Sequence, residues 1–264
     1  MIHQQYTLFL VALQFYTRIP VPAWVPYHPE DLSKATRFLP LVGWLVGIVT
    51  AGVWLVLEPL TNGHVALLLA MSASVLLTGA FHEDGFADAC DGFGGGWTRD
   101  KILLIMKDSR IGTYGSIGLL LLLALKFASL QLLSEKMGGD SVLIVFNLLA
   151  AHSLSRLMAA LLIFTLPYAR ETDDSKSKPV ATAAGFSTIS IALLLALLPL
   201  LGLCYFSGTL WGMAVLSGLG LVTYGMGRYY KKWIGGYTGD CLGAVQQVTE
   251  VVFYLFISIV WKFI

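Results

Sequence analysis

Charge is what this sequence has least of. Asp, Glu, Lys and Arg make up only 12% of its 264 residues, against 56% hydrophobic residues and a mean hydropathy of +0.74. Soluble domains carry about twice that share of charge, so the composition excludes a soluble globular enzyme and indicates an integral membrane protein. Cysteine is scarce too. Cys90, Cys204 and Cys241 form neither a CxxC pair nor an even set, which excludes a disulfide scaffold and reads as buried or incidental thiols. A net charge of +1 and the absence of an arginine-rich tail exclude long-range attraction to nucleic acid. The first residues lack a basic region and an A-x-A site, so no cleavable signal peptide is expected and the first span directs insertion.

Apolar runs long enough for a bilayer, about 17–25 residues, fall near 41–57, 65–80, 116–134, 141–166, 186–206, 210–227 and 248–264. The expectation is an all-α, polytopic helical bundle of about seven transmembrane helices in one domain, 1–264. The stretch from Tyr6 to Tyr16 is too short to span and leads into Pro20, Pro22, Pro26 and Pro29. It reads as an additional N-terminal interfacial or re-entrant helix. Placing the N-terminus inside puts thirteen of the seventeen basic residues on the cytoplasmic side, as lysine and arginine retention requires. Lys126 and Arg156 fall within spans.

Against this apolar background, Phe81 to Gly118 holds six of the sixteen acidic residues. Asp84, Asp88 and Asp91 stand at i, i+4 and i+7, so a helix here lines up three carboxylates on one face. Their mutual repulsion is relieved by a hard cation with oxygen ligands, and Mg²⁺ favours carboxylates shared with substrate phosphates. A solvated loop with scattered acids would not alternate them with Gly, Phe, Ala and Cys at helical spacing. Glu83 lies about 100° around that helix from Asp84, placed to act as a second ligand or as a base.

Further on, Lys107, Asp108, Ser109 and Arg110 precede Gly112, Gly115 and Gly118. Arginine can bind two phosphate oxygens in one plane while lysine acts as a point charge, so this segment suits a pyrophosphate, with Asp108 available to complete a metal shell. A basic flank for the next span is the plainer alternative. A third segment carries Arg228, Lys231, Lys232, Gly235, Gly236, Gly239, Asp240 and Gly243, and Gln246, Gln247 and Glu250 can face the same cavity. An acid between glycines exceeds what helix punctuation requires. An intramembrane arginine is functional by default, so Arg156 is expected to be structural or to orient a cavity group of the substrate site; His152, one turn before it, reads as a packing residue. The polar run at 170–179 is given no chemistry.

Taken together, FYTRIPVP, FLPLVGWLVG at 38–47, FHEDGFADACDGFGGG at 81–96, MKDSRIGTYG at 106–115 and GGYTGDCLGA at 235–244 are similar to the motifs of the cobalamin synthase family, in the family's order and over almost the whole chain. The resemblance implies a transferase that joins adenosylcobinamide-GDP to α-ribazole, or its 5′-phosphate, with release of GMP and use of Mg²⁺ at the inner membrane. Partners beyond those substrates and membrane lipid would be other late cobalamin-assembly enzymes or a second copy of the chain. On this reading Asp84, Asp88, Asp91 and Asp108 hold the metal. Lys107, Ser109, Arg110, Arg228, Gly239 and Arg156 serve the substrate, and the base is one of Glu83, Asp91 and Asp240. A CDP-alcohol phosphotransferase is the runner-up, but DGFADACDG lacks that family's Ala-Arg pair and wider aspartate spacing. An ion-coupled transporter is disfavoured because the acids gather at one face and not at the midplane.

The distribution of basic residues makes topology testable. A cysteine label at 135–140 should react from outside and one at 93–99 only from the cytoplasm; reversed accessibility would overturn the site assignment.

Overall fold

The computed structural model describes residues 2–25, 29–170 and 185–261. Eleven α-helices occupy them, and no strand does. They are α1 (Ile2–Tyr16), α2 (Pro29–Ala35), α3 (Leu39–Leu57), α4 (Gly63–Thr78), α5 (Phe81–Gly95), α6 (Arg99–Ile105), α7 (Thr113–Lys136), α8 (Ser141–Thr165), α9 (Phe186–Ser207), α10 (Val215–Ile234) and α11 (Gly239–Val260). The protein is therefore an all-α, multi-pass bundle. Five segments are each long and apolar enough to cross a bilayer: Asp31–Leu57, which contains α3, then α7, α8, Ser187–Ser207 within α9, and α11. The pair α4 and α5 qualifies only jointly and is bent by 87°. The run expected at 210–227 becomes α10, shifted toward its basic end and carrying Lys231 and Lys232 in its last turn. Residues 171–179 of the polar run, with Lys176 and Lys178, lie outside the described residues, as do 26–28 and the last three of the expected final span.

Helix starts follow capping chemistry. Asn62, Asp140 and Thr238 accept backbone N–H groups at the starts of α4, α8 and α11, satisfying donors that would otherwise be orphaned. Gly79 ends α4 in the left-handed region, and Ala80 follows with φ 59°, a conformation that costs an ordinary residue roughly 1–2 kcal/mol. That turn redirects the chain so that α5 does not continue α4. At 15 residues, α5 is too short to span by itself. It runs instead against the first turns of α7 and α11 and the last turns of α10, where Phe93 stacks on Tyr230 at 5.3 Å.

The seven long helices alternate in direction. Arg37, before α3, donates to Thr188 at the start of α9 (2.8 Å). Arg18 N–H donates to Leu77 in the last turn of α4. Arg99 donates to the carbonyls of Ala169 after α8 and Ile234 at the end of α10. The acidic helix thus lies at the end where α3, α7, α9 and α11 begin and α4, α8 and α10 finish. The expected N-terminal helix exists as α1, whose Leu8, Val11 and Ala12 pack with Leu39 and Val42 of α3 in a second apolar cluster.

At the centre is α8, buried at every position from Ala150 to Ala160. Its small residues allow backbones to approach, as in other membrane bundles. A side chain at Gly43 of α3 would collide with the His152 carbonyl and come within 2.8 Å of Ser153 Cα. Gly43→Val should therefore cost about 1–3 kcal/mol through forced separation of α3 and α8, measured as thermal unfolding in detergent. Gly52→Val, where an added carbon meets nothing within 4 Å, should leave the midpoint unchanged, and equal behaviour of the two variants would refute the close contact.

Candidate active site

Three separate backbone devices assemble the acidic end. The first is a two-residue bridge between the exit of α8 and the entry to α11: Tyr237 N–H donates to Pro167 (3.0 Å) and Ala169 N–H to Tyr237 (2.8 Å). Gly236 is obligatory there, because any side chain would strike the Pro167 carbonyl. The bridge brings Arg170 to Asp240, with Nη2 donating to Oδ2 at 2.9 Å. Thr238, the cap of α11, donates to the same oxygen at 3.2 Å.

The second device is the crossing of α5 with α11. A carbon on Gly85 would lie 3.2 Å from Asp240 Cα, and one on Gly243 2.9 Å from the His82 carbonyl. Two glycines therefore let the helices touch, and Asp240 arrives beside the Asp84–Asp88 face. A cavity of about 280 Å³ opens there. Asp84, Asp240 and Arg170 form its polar end, and Phe15, Tyr16 and Phe81 contribute an aromatic wall held edge-to-face, with Phe81 5.5 Å from Phe15 and 5.8 Å from Tyr16. Gly239 lines the same cavity.

Asp91 provides the third. Its two oxygens accept N–H groups from Gly112 (2.7 Å) and Gly115 (2.8 Å), which docks the start of α7 and the loop before it onto α5. The helical face expected from the spacing is present, but its members differ. Asp84 is exposed, Asp88 half-buried and Asp91 buried, with Asp91 committed to the α7 backbone. Burial and the nearby carboxylates of Asp240, Asp84 and Asp91 push the Asp88 carboxyl up to about 7. Oxygen donors with surplus negative charge suit a hard cation. Among the described residues, however, no three of these side chains converge as a ready metal cage, so the set fits an ion shared with a ligand better than an all-protein site.

Asp108 lies apart from this face. Arg110 grips both of its oxygens, with Nη2 at 2.7 Å and Nε at 3.0 and 3.3 Å, and that partner holds its carboxyl down at about 2. Lys107, Ser109 and Arg110 belong to the loop that Asp91 anchors. Arg228 is elsewhere, in a groove between α8 and α10, where it meets the Tyr224 hydroxyl at 3.2 Å.

Deeper in the bundle is a buried charged network. Glu250 of α11 lies 3.1 Å from Lys126 Nζ and 3.5 Å from His152 Nδ1, and accepts hydrogen bonds from Gln246 and Tyr254. Lys126 also donates to Gln247 (2.9 Å), which in turn donates to Glu83 (2.8 Å). Arg156 donates to the His152 carbonyl at 2.9 Å. Glu83 and Arg156 thus belong to this network, which lines its own small void, and not to the 280 Å³ cavity. Gln246, Gln247 and Glu250, expected to face the substrate cavity, face the network too.

Sequence reasoning missed Arg170, which opens a run that looked like an ordinary polar loop. Nothing local marks it; its role comes from pairing between Tyr168 and Tyr237, sixty-nine positions apart in the sequence. Lys126 did carry a signal, since a lone lysine inside a span demands an acid at similar depth.

The profile of cobalamin-5-phosphate synthases matches residues 8–258. The chain belongs to that family. Similar proteins named adenosylcobinamide-GDP ribazoletransferase occur in Shewanella pealeana, 44% identical over 97% of this chain and 96% of the relative, and in Shewanella piezotolerans, 45% identical over the same shares. The Shewanella putrefaciens protein of that name is 48% identical over 98% of this chain and 96% of its own length. No solved structure matches. This cobalamin-5-phosphate synthase family member is accordingly a membrane transferase of cobalamin biosynthesis.

The network generates a stability prediction. Glu250→Leu strands Lys126 inside the bundle and should cost about 3–5 kcal/mol, whereas adding Lys126→Met should recover most of that loss. Thermal unfolding in detergent measures both, and wild-type stability in the single variant would show that water reaches Lys126.

Proposed function

We propose that this chain joins adenosylcobinamide-GDP to α-ribazole, or α-ribazole 5′-phosphate, at the cytoplasmic face of the inner membrane. A ribose hydroxyl of the acceptor attacks the cobinamide-proximal phosphorus, a new P–O bond forms, and the P–O bond to GMP breaks. The observation that carries this reading is the meeting of Asp84 and Asp240 with Arg170 in one cavity that also has an aromatic wall, in a chain whose relatives are named for this reaction.

A cavity of about 280 Å³ falls at the lower limit of ligand pockets, about 300 Å³. It suits a nucleoside and excludes a corrin ring, which must remain at the mouth. The aromatic wall of Phe15, Tyr16 and Phe81 takes the planar base of the acceptor, leaving its ribose toward the carboxylates. Asp240 is then the base that receives the hydroxyl proton. Arg170 holds its Oδ2 in place until the substrate phosphates compete for the guanidinium. Arg170 passes to those phosphates as a planar clamp, and Lys107, Ser109 and Arg110 meet them from the loop anchored by Asp91. Mg²⁺ shared by Asp84, Asp88 and the pyrophosphate would neutralise charge on the transferring and leaving groups. Glu83, Asp91, Asp108 and Arg156 support this arrangement through their structural contacts, and Arg228 has no part in it.

Purified protein given both substrates should release GMP with Mg²⁺ and stop when a chelator is added. Asp84→Asn and Asp88→Asn should each lower the rate at least about a hundredfold, as expected when a metal supplies several kcal/mol at the transition state. Asp240→Asn should lower turnover with little change in the Mg²⁺ concentration for half-maximal rate. A shift in that concentration would move Asp240 into the metal set, and near-normal rates in all three variants would refute the site.

A further inference from the structure

On the side of α8 that faces away from the carboxylates, α8 and α10 enclose a groove of about 750 Å³. Its walls are apolar, with Leu161, Leu162 and Leu166 opposite Gly220 and Gly227, and Arg228, Lys231 and Lys232 stand at one end. No carboxylate pairs with any of the three among the described residues. Arg228 lies 5.8 Å from the Tyr224 ring and Lys232 5.7 Å from the Trp233 ring, aromatic partners typical of headgroup depth.

We propose that this groove binds one anionic diacyl phospholipid, its headgroup on Arg228, Lys231 and Lys232 and its acyl chains along α8 and α10. Retention of cations on the cytoplasmic side explains three basic residues at a helix end. It does not explain a recess of this size directly beside them. A basic pocket between membrane helices recognises acidic headgroups, each cation contributing about fivefold in affinity near the surface. The nucleotide substrate fits less well: only Thr165, Thr223 and Tyr224 offer uncharged polar groups along the walls, and α8 separates the groove from Asp84 and Asp240. The lipid site is independent of the substrate assignment.

Protein stripped of lipid in neutral detergent, mixed with equal amounts of phosphatidylglycerol and phosphatidylcholine of matched chains, tests this by native mass spectrometry. Wild type should retain one phosphatidylglycerol per chain, preferred at least about tenfold. Lys231→Ala/Lys232→Ala, a surface change that fold stability tolerates, should reduce the preference to no more than the roughly fivefold that Arg228 alone supplies. Gly220→Leu should expel both lipids, since an added carbon there meets nothing within 4 Å and the longer side chain fills the recess. GDP or inorganic phosphate in excess should leave the lipid bound. Equal retention of the two lipids by wild type, an unchanged preference in the double variant, or displacement of phosphatidylglycerol by GDP would each overturn the proposal. The last result would assign the cations to the substrate's phosphates.

Discussion

A carboxylate among apolar helices costs several kcal/mol unless a counter-charge and further polar partners are held there with it. Glu250 can therefore occupy only a depth and rotation of α11 at which Lys126 of α7 and His152 of α8 reach it. That condition fixes more than one helix. Gln246 and Gln247, one turn earlier on α11, complete the shell and extend it to Glu83 of α5. Gly243 lies seven residues before Glu250, almost two full turns and so on nearly the same face. The rotation that buries Glu250 thereby turns Gly243 toward His82 and Gly85. Asp240 reaches the acidic face because the deeper charge pair has already set the register of α11 against α5.

The carboxylates at the mouth divide their labour. Asp91 is satisfied by two backbone N–H groups and behaves as a fastener for α7, while Asp240 is held by Arg170 and Thr238. Asp84 and Asp88 have no cation of their own among the described residues. A face of three like charges would be unstable if all were left unpaired; committing Asp91 to the backbone limits the uncompensated charge to Asp84, which lines the cavity, and Asp88, one turn further along α5.

Much of this could be read from spacing. The i, i+4, i+7 pattern placed Asp84, Asp88 and Asp91 on one helical face, and the alternation of basic segments gave the order of the long helices. Spacing carries no information about partners, however. It could not show that Asp91 would turn to Gly112 and Gly115, that Glu83 would face a buried glutamine, or that Arg228 would lie behind α8. Arg170 was illegible for the same reason, because a bridge between residues distant in sequence puts it beside Asp240. The span expected at 210–227 was displaced because hydropathy alone stops at Arg228, whereas backbone hydrogen bonding and the close packing of Gly227 on Leu162 carry α10 on to Ile234.

What joins the buried network to the mouth is α8. It carries His152 and Arg156 within the bundle and, immediately beyond its end, presents Arg170 to Asp240. The face toward α3 and α11 carries His152, Ser153 and Ser155 and is buried, while the face toward α10 is leucine-rich and recessed. One helix thus separates a polar cavity from an apolar groove, both at the end where the chain's cations collect. A substrate too large for the cavity must approach from outside that end, and rigid placement of Arg170 and Asp240 matters more for such a substrate than enclosure does. Orientation then has to come from a few fixed polar groups, and the buried network that ties α7 and α8 to α11 is what keeps those groups fixed.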